Sequence, residues 1–137
     1  MKEFIKSIEE VDNVEGIFES DWNKGEGYKV ITTDQEIYIL VENESSCCES
    51  WGYFSSEDDM NEFIGAELLD IKVVDTALNV ESVKKELPYG HDGGDTMFVN
   101  LETDKGTLQL AVYNDHNGYY GHSAILKSKQ VTYETGL

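Results

Sequence analysis

Arginine is missing from this chain of 137 residues, so its ten basic side chains are all lysines. Lysine offers a compact point charge, without the planar fork that grips phosphate or carboxylate in a bidentate way. Against those ten stand 28 aspartates and glutamates, for a formal net charge of −18. A field of that sign repels nucleic acid and anionic membrane and attracts basic surfaces. Direct binding of DNA, RNA or a polyphosphate is therefore disfavoured. The ordinary reading of the acidity is solubility, with an AT-rich genome favouring lysine. There is a single proline, Pro88, and there are only two cysteines, the adjacent Cys47 and Cys48. Neighbouring cysteines make a poor disulfide framework, because a bond between them strains the intervening peptide. Two free thiols and a reducing, cytoplasmic setting are expected. Met1 to Ile5 shows no basic-then-apolar leader, and no apolar run has the length of a membrane span.

What is present suits a folded globule: 39% of the residues are hydrophobic and 11% aromatic. One domain over residues 1–137 is expected. Phe4, Ile5 and Ile8 fall at helical spacing and predict a short amphipathic helix over Lys2 to Glu10. Val14 to Phe18 reads as a first strand. Tyr28 to Thr33 and Ile37 to Val41 read as a hairpin joined by Asp34, Gln35 and Glu36, with Ile37, Ile39 and Val41 on one face. The stretch Ser45 to Tyr53, which holds both cysteines and Trp51, lies between this strand-rich part and a predicted helix. Ser55 to Asp59 supplies the cap of that helix, Met60, Phe63 and Ile64 its apolar stripe, and Gly65 its stop. Leu68 to Val74 reads as a buried strand, and Asn79 to Leu87 as another short helix ended by Pro88. Tyr89 to Asp95 reads as a connecting loop. Alternation in Met97 to Leu101 and Leu108 to Val112, then Tyr120 to Leu126, predicts a three-stranded antiparallel meander. The fold class expected is α+β: a mainly antiparallel sheet with two or three short helices.

Ser46-Cys47-Cys48-Glu49, the acidic segment ending Glu62-Phe63-Ile64-Gly65, and the late Asn117-Gly118-Tyr119-Tyr120 resemble a small uncharacterised family from phages and prophages. Its members carry a Cys-Cys-Glu motif, a helix end of Leu or Ile followed by Gly, and an Asn-Gly-Tyr-Tyr motif. The resemblance spans roughly residues 14–126. Members follow the tyrosines with Ser-Glu, where this chain has Gly121-His122. The resemblance implies an origin and a fold, and no chemistry.

Several constellations are open to chemical readings. Cys47, Cys48, His91, His116 and His122 are the thiol and imidazole groups from which a zinc site would be drawn, but the usual two-residue spacer between the cysteines is absent. Cys47 or Cys48 as nucleophile with His116 or His122 as base, and Asp115 or Glu49 as orienter, is the enzyme reading, unsupported by any nucleophile signature. The glycine-rich segment Gly90 to Asp95 lacks the acids of a calcium loop and the lysine of a phosphate loop. Trp51, Tyr119 and Tyr120, with Trp22, Tyr53, Phe54 and Tyr113, suit either core filling or a partner surface. Acids two apart on a strand project to one side at about 6.6 Å, so Glu19 with Asp21, Asp34 with Glu36, and Glu42 with Glu44 each present paired anions. Glu57, Asp58, Asp59 and Glu62 form a further acidic cluster, expected on a helix.

The function expected is a phage-type inhibitor without cofactor or turnover. It acts by stoichiometric binding of an acidic surface that mimics nucleic acid (Glu42, Glu44, Glu57, Asp58, Asp59, Glu62, with Trp51, Tyr119 and Tyr120) to a basic, nucleic-acid-binding bacterial defence protein. Anti-CRISPR proteins exemplify that strategy. The alternatives are a protein that sequesters a small ligand or nucleotide in a pocket of Trp51, Tyr119, Tyr120 and the histidines, and a zinc-binding or Cys/His enzyme. Fifteen aromatics in so short a chain also suggest a homodimer, paired through a late edge strand such as Tyr120 to Leu126.

Overall fold

β-Branched and aromatic residues that alternate with polar ones favour extended chain with one face buried, and strands of this kind make up nearly all the regular structure seen. A computed structural model describes residues 2–18, 24–42, 50–55, 59–74, 94–115, 123–129 and 131–136. Its strands are β1 (Ile5–Val14), β2 (Gly25–Thr32), β3 (Glu36–Glu42), β4 (Ser50–Ser55), β5 (Leu68–Val74), β6 (Gly94–Thr103), β7 (Gly106–Asp115), β8 (Ser123–Lys127) and β9 (Thr132–Gly136). They form two antiparallel sheets, one in the order β1-β2-β3-β8-β9 and one in the order β4-β7-β6-β5.

The main core lies between the sheets. Tyr28 and Val30 of β2, Ile37, Ile39 and Val41 of β3, and Ala124 and Leu126 of β8 meet Ile71, Met97, Val99, Leu101, Leu108, Leu110 and Val112 of the four-stranded sheet. The outer face of the larger sheet is covered too: Phe18 turns back over Leu40 and Ile125. Its ring fits because Gly25 has no Cβ, which would stand 2.5 Å from it. Phe54, Phe98 and Tyr113 form a separate aromatic cluster with Ala111 on the far side of the smaller sheet. The edges of the two sheets are joined where β1 begins. There the Ile5 amide donates to the Ala66 carbonyl at 2.9 Å, the Gly65 amide to Ile5 at 2.7 Å and the Leu68 amide to Glu3 at 2.7 Å.

The fold is all-β, which corrects the expected α+β class. Of Lys2 to Glu10, expected as a helix, the residues from Ile5 on belong to β1, and Phe4 forms a lone bridge to Glu67. A break in register between Ile5 and Ser7 inserts a residue, so Ile5 and Ile8, three apart, both reach the core. A β-bulge thus imitates helical periodicity. Val14 ends β1 instead of beginning a strand. Of the helix expected after Ser55 there is one 3-10 turn, Met60–Phe63, with Gly65 at a positive φ of 88°. Its four residues bury Phe63 and then yield to pairing with β1. The helix expected over Asn79 to Leu87 lies outside the described residues. The strand over Leu68–Val74 is present but is not the buried strand expected: at the edge of its sheet it buries Leu68 and Ile71 and exposes Leu69 and Val73. The hairpin, the face of Ile37, Ile39 and Val41 and the β6–β7 hairpin are as the sequence predicts. The meander is not: β8 crosses to the other sheet and pairs with β3, while β4 takes the remaining side of β7. Since β8 lies between β3 and β9, it is no edge strand, and the dimer contact expected there is excluded for Ser123 to Lys127. No helix among the described residues is long and apolar enough to cross a membrane.

Candidate functional site

Register places side chains, so the charged positions can be followed strand by strand. In β2 the inward parity is that of Tyr28 and Val30, and Glu26 shares it. Across the ladder Glu10 of β1 stands opposite Tyr28 and points the same way, with Asp12 two residues on. Asn13 takes a positive φ of 51° within a second break of register, between Val11 and Val14. Asparagine tolerates that conformation better than most residues. Glu10, Asp12 and Glu26 thereby gather at one mouth of the sandwich.

From the opposite sheet Tyr53 of β4 enters this mouth. Its ring packs edge-on against Tyr28, with centroids 5.1 Å apart at 78°. Burial first, then the charges of Glu10, Glu26 and Asp12, raise the pKa of the Tyr53 hydroxyl, which is hydrogen-bonded to Glu10. The Glu26 carboxyl is likewise raised above its ordinary value, by burial first and by the charge of Asp12 second. Among the described residues no lysine forms an ion pair with Glu10, Asp12 or Glu26. The chemistry of such a group is negative charge beside a phenol, without a cation paired to it among the described residues. It has no metal-site geometry: among the described residues no group of three or more His, Cys, Asp or Glu side chains could hold an ion.

The acidic positions singled out by sequence are distributed otherwise. Glu42 ends β3, and its carboxylate accepts from the Ser123 amide at 3.3 Å. Asp59 caps the 3-10 turn by accepting from the Asn61 amide at 3.0 Å, and Glu62 lies exposed within that turn. Both carboxylates of the Asp34 and Glu36 pair have lysine partners, Lys129 at 3.2 Å and Lys29 at 3.5 Å. Trp51 is in β4, opposite Asn114 of β7. Glu19, Asp21, Glu44, Glu57, Asp58, Tyr119 and Tyr120 lie outside the described residues, as do Cys47, Cys48, His91, His116 and His122. The mouth was missed in the sequence because its three acids come from two strands and one of those strands reads as a helix. The available signal was the parity of Glu26 with Tyr28 and Val30.

No curated protein and no solved structure matches the chain. A family model does match, over residues 4–126, which takes in β1 to β7 and all but the last residue of β8. On that match the chain belongs to DUF7448, a family defined by a domain of unknown function.

Proposed function

We propose that this is a phage-type inhibitor that binds stoichiometrically, through an acidic surface, to a basic nucleic-acid-binding defence protein in the cytoplasm of an infected bacterium. The observation that carries the reading is the mouth formed by Glu10, Asp12 and Glu26, where carboxylates from two strands gather without a lysine among the described residues. A net charge of −18 without arginine extends that field and speeds encounter with a cationic groove. Acids at strand steps of about 6.6 Å offer a basic channel closely spaced anions in place of phosphates. The cap at Asp59 and the exposed Glu62 would add a second acidic patch.

The test is a titration of the protein against a fixed amount of purified CRISPR effector complex, read as loss of labelled target-DNA binding. Inhibition should be complete near one equivalent and should weaken as salt rises, since screening shortens the reach of exposed charges to about 8 Å at physiological strength. Joint Glu10→Lys and Asp12→Lys substitution should weaken inhibition at least tenfold while the circular dichroism spectrum is unchanged. Inhibition by that variant as strong as by the unaltered chain refutes the reading. Substoichiometric inhibition that grows with time would point to an enzyme instead.

A further inference from the structure

We propose that two copies of this chain pair antiparallel through β9 about a twofold axis at Tyr133, making one continuous sheet of their two five-stranded sheets. Edge strands are usually protected by charge, bulges or cover. β1 carries Glu9, Glu10 and Asp12 and two breaks of register, and its start is joined to the β5 side. β5 has a break between Leu68 and Asp70 and presents Asp70 and Lys72. β4 lies beside the acidic mouth, so copies meeting there would bring like charges together. Among the described residues β9 has neither bulge nor cover, and its one charge is Glu134. Its register with β8 runs unbroken from Lys127↔Thr132 to Ser123↔Gly136, and Thr132, Tyr133 and Glu134 are all exposed, with Tyr133 at 43%.

Charge selects both the occupant and the register. Residues 123–137 hold two lysines and one glutamate in a chain of net charge −18, so here two such chains can meet with least repulsion. A twofold axis at Glu134 would set that carboxylate against its own copy, which is unfavourable. An axis at Tyr133 instead sets Thr132 beside Glu134 of the second copy. Lys127 is the neighbour of Thr132 on its other side, so Lys127, Thr132 and the second copy's Glu134 form one row on one face. Strands stand about 4.8 Å apart, and both long side chains reach across the threonine to meet. Symmetry repeats the ion pair, while the two Tyr133 rings pair on the opposite face. A contact of five-residue strands buries less than the roughly 800 Å² per partner of standard interfaces, so association is expected at on the order of 100 μM.

The deciding measurement is sedimentation equilibrium from about 10 μM to 1 mM at physiological salt, on the whole chain and on two single variants, K127E and E134K. The unaltered chain should show a concentration-dependent dimer. Each variant alone places like charges across the axis and should associate at least fivefold more weakly. Mixed in equal amounts, the two variants put opposite charges into both rows, and dimer should return. A repaired contact within one chain cannot give that result, because each chain still carries only its own substitution. Thr132→Pro, which removes an amide that faces away from β8 because Val131 and Tyr133 bond inward to it, should abolish the dimer in every background. A chain that stays monomeric to 1 mM, single variants that dimerise as the unaltered chain does, or a mixture no more associated than its parts would overturn the proposal.

Discussion

The two ends of the β1–β2 ladder treat carboxylates in opposite ways. At one end Glu3 is surrounded by donors. The Thr32 hydroxyl and the Gln35 side-chain amide, the latter at 2.9 Å, both donate to it, and Gln35 in turn accepts from the Lys129 amide at 2.7 Å. Lys129 then pairs with Asp34. This network ties the start of the chain to the β2–β3 and β8–β9 turns. At the other end Glu10, Asp12 and Glu26 surround one phenol, Tyr53, which is hydrogen-bonded to Glu10, and no lysine pairs with them among the described residues. A carboxylate matched to donors contributes stability, whereas carboxylates gathered without cations cost some. The first end therefore reads as a fastening, and the second as a place where stability is given up for an outward negative field.

The largest expected effect breaks the mouth end through its backbone. Gly27 has a φ of 150°, and a Cβ there would stand 2.1 Å from the Ile39 carbonyl oxygen. Gly27→Ala must move one strand of the β2–β3 ladder, and should destabilise the protein by about 3 kcal/mol or more. Urea unfolding followed by tryptophan fluorescence measures it; a loss below about 1 kcal/mol would mean that the ladder is slack at this end. The fastened end should be next in size. Glu3→Ala removes the carboxylate that both the nearly buried Thr32 hydroxyl and the Gln35 side-chain amide donate to, and leaves the hydroxyl the longer bond to the Gln35 carbonyl at 3.3 Å, for about 1–2 kcal/mol. Melting should fall by roughly 4–8 °C. An unchanged melting temperature would remove the contrast between the ends.

Much of this scaffold was legible and the charge geometry was not, for one physical reason. Ile37, Ile39 and Val41, and the alternating β6 and β7, announce themselves through period-two burial within a single segment. The mouth depends on which strands pair and on where register breaks, and neither is local. The bulge after Ile5 disguises β1 as a helix, so Glu10 and Asp12 look like residues of different faces. In the same way Met60, Phe63 and Ile64 have helical spacing, but Gly65 and the pairing of Leu68 with the start of the chain stop the helix after four residues. The local pattern of Asp34 and Glu36 suggests paired anions at a strand step, yet Asp34 lies in the turn before β3, and Lys129, which neutralises it, arrives from 95 residues away. The Cys-Cys-Glu and Asn-Gly-Tyr-Tyr motifs fall outside the described residues, so the family match rests on the sequence over 4–126 and the mouth stands on its own geometry.

The smallest effect sharpens the contrast most, because it has the opposite sign. Glu26 has a folded-state pKa above its ordinary value of 4.5, through burial and Asp12. An acid shifted upward binds its proton more tightly in the folded chain than in the unfolded one. Its ionisation therefore opposes folding. The penalty is absent below the ordinary value, grows as pH rises from there through the folded value, and is fully present above it. Glu26→Gln removes the charge at every pH. It should stabilise the protein at pH 7 and lose that advantage on acidification to about pH 4, where the unaltered Glu26 is itself largely protonated. The group is partly solvated, so screening holds the gain to about 0.3–0.5 kcal/mol. Paired urea melts of both proteins at pH 4 and pH 7 resolve such a difference. Glu3→Gln should go the other way, because it replaces an acceptor-only carboxylate oxygen with an amide that brings a donor of its own in front of two donors. If both glutamines destabilise at neutral pH, Glu26 has a favourable partner, and the mouth is a second fastening rather than a store of repulsion.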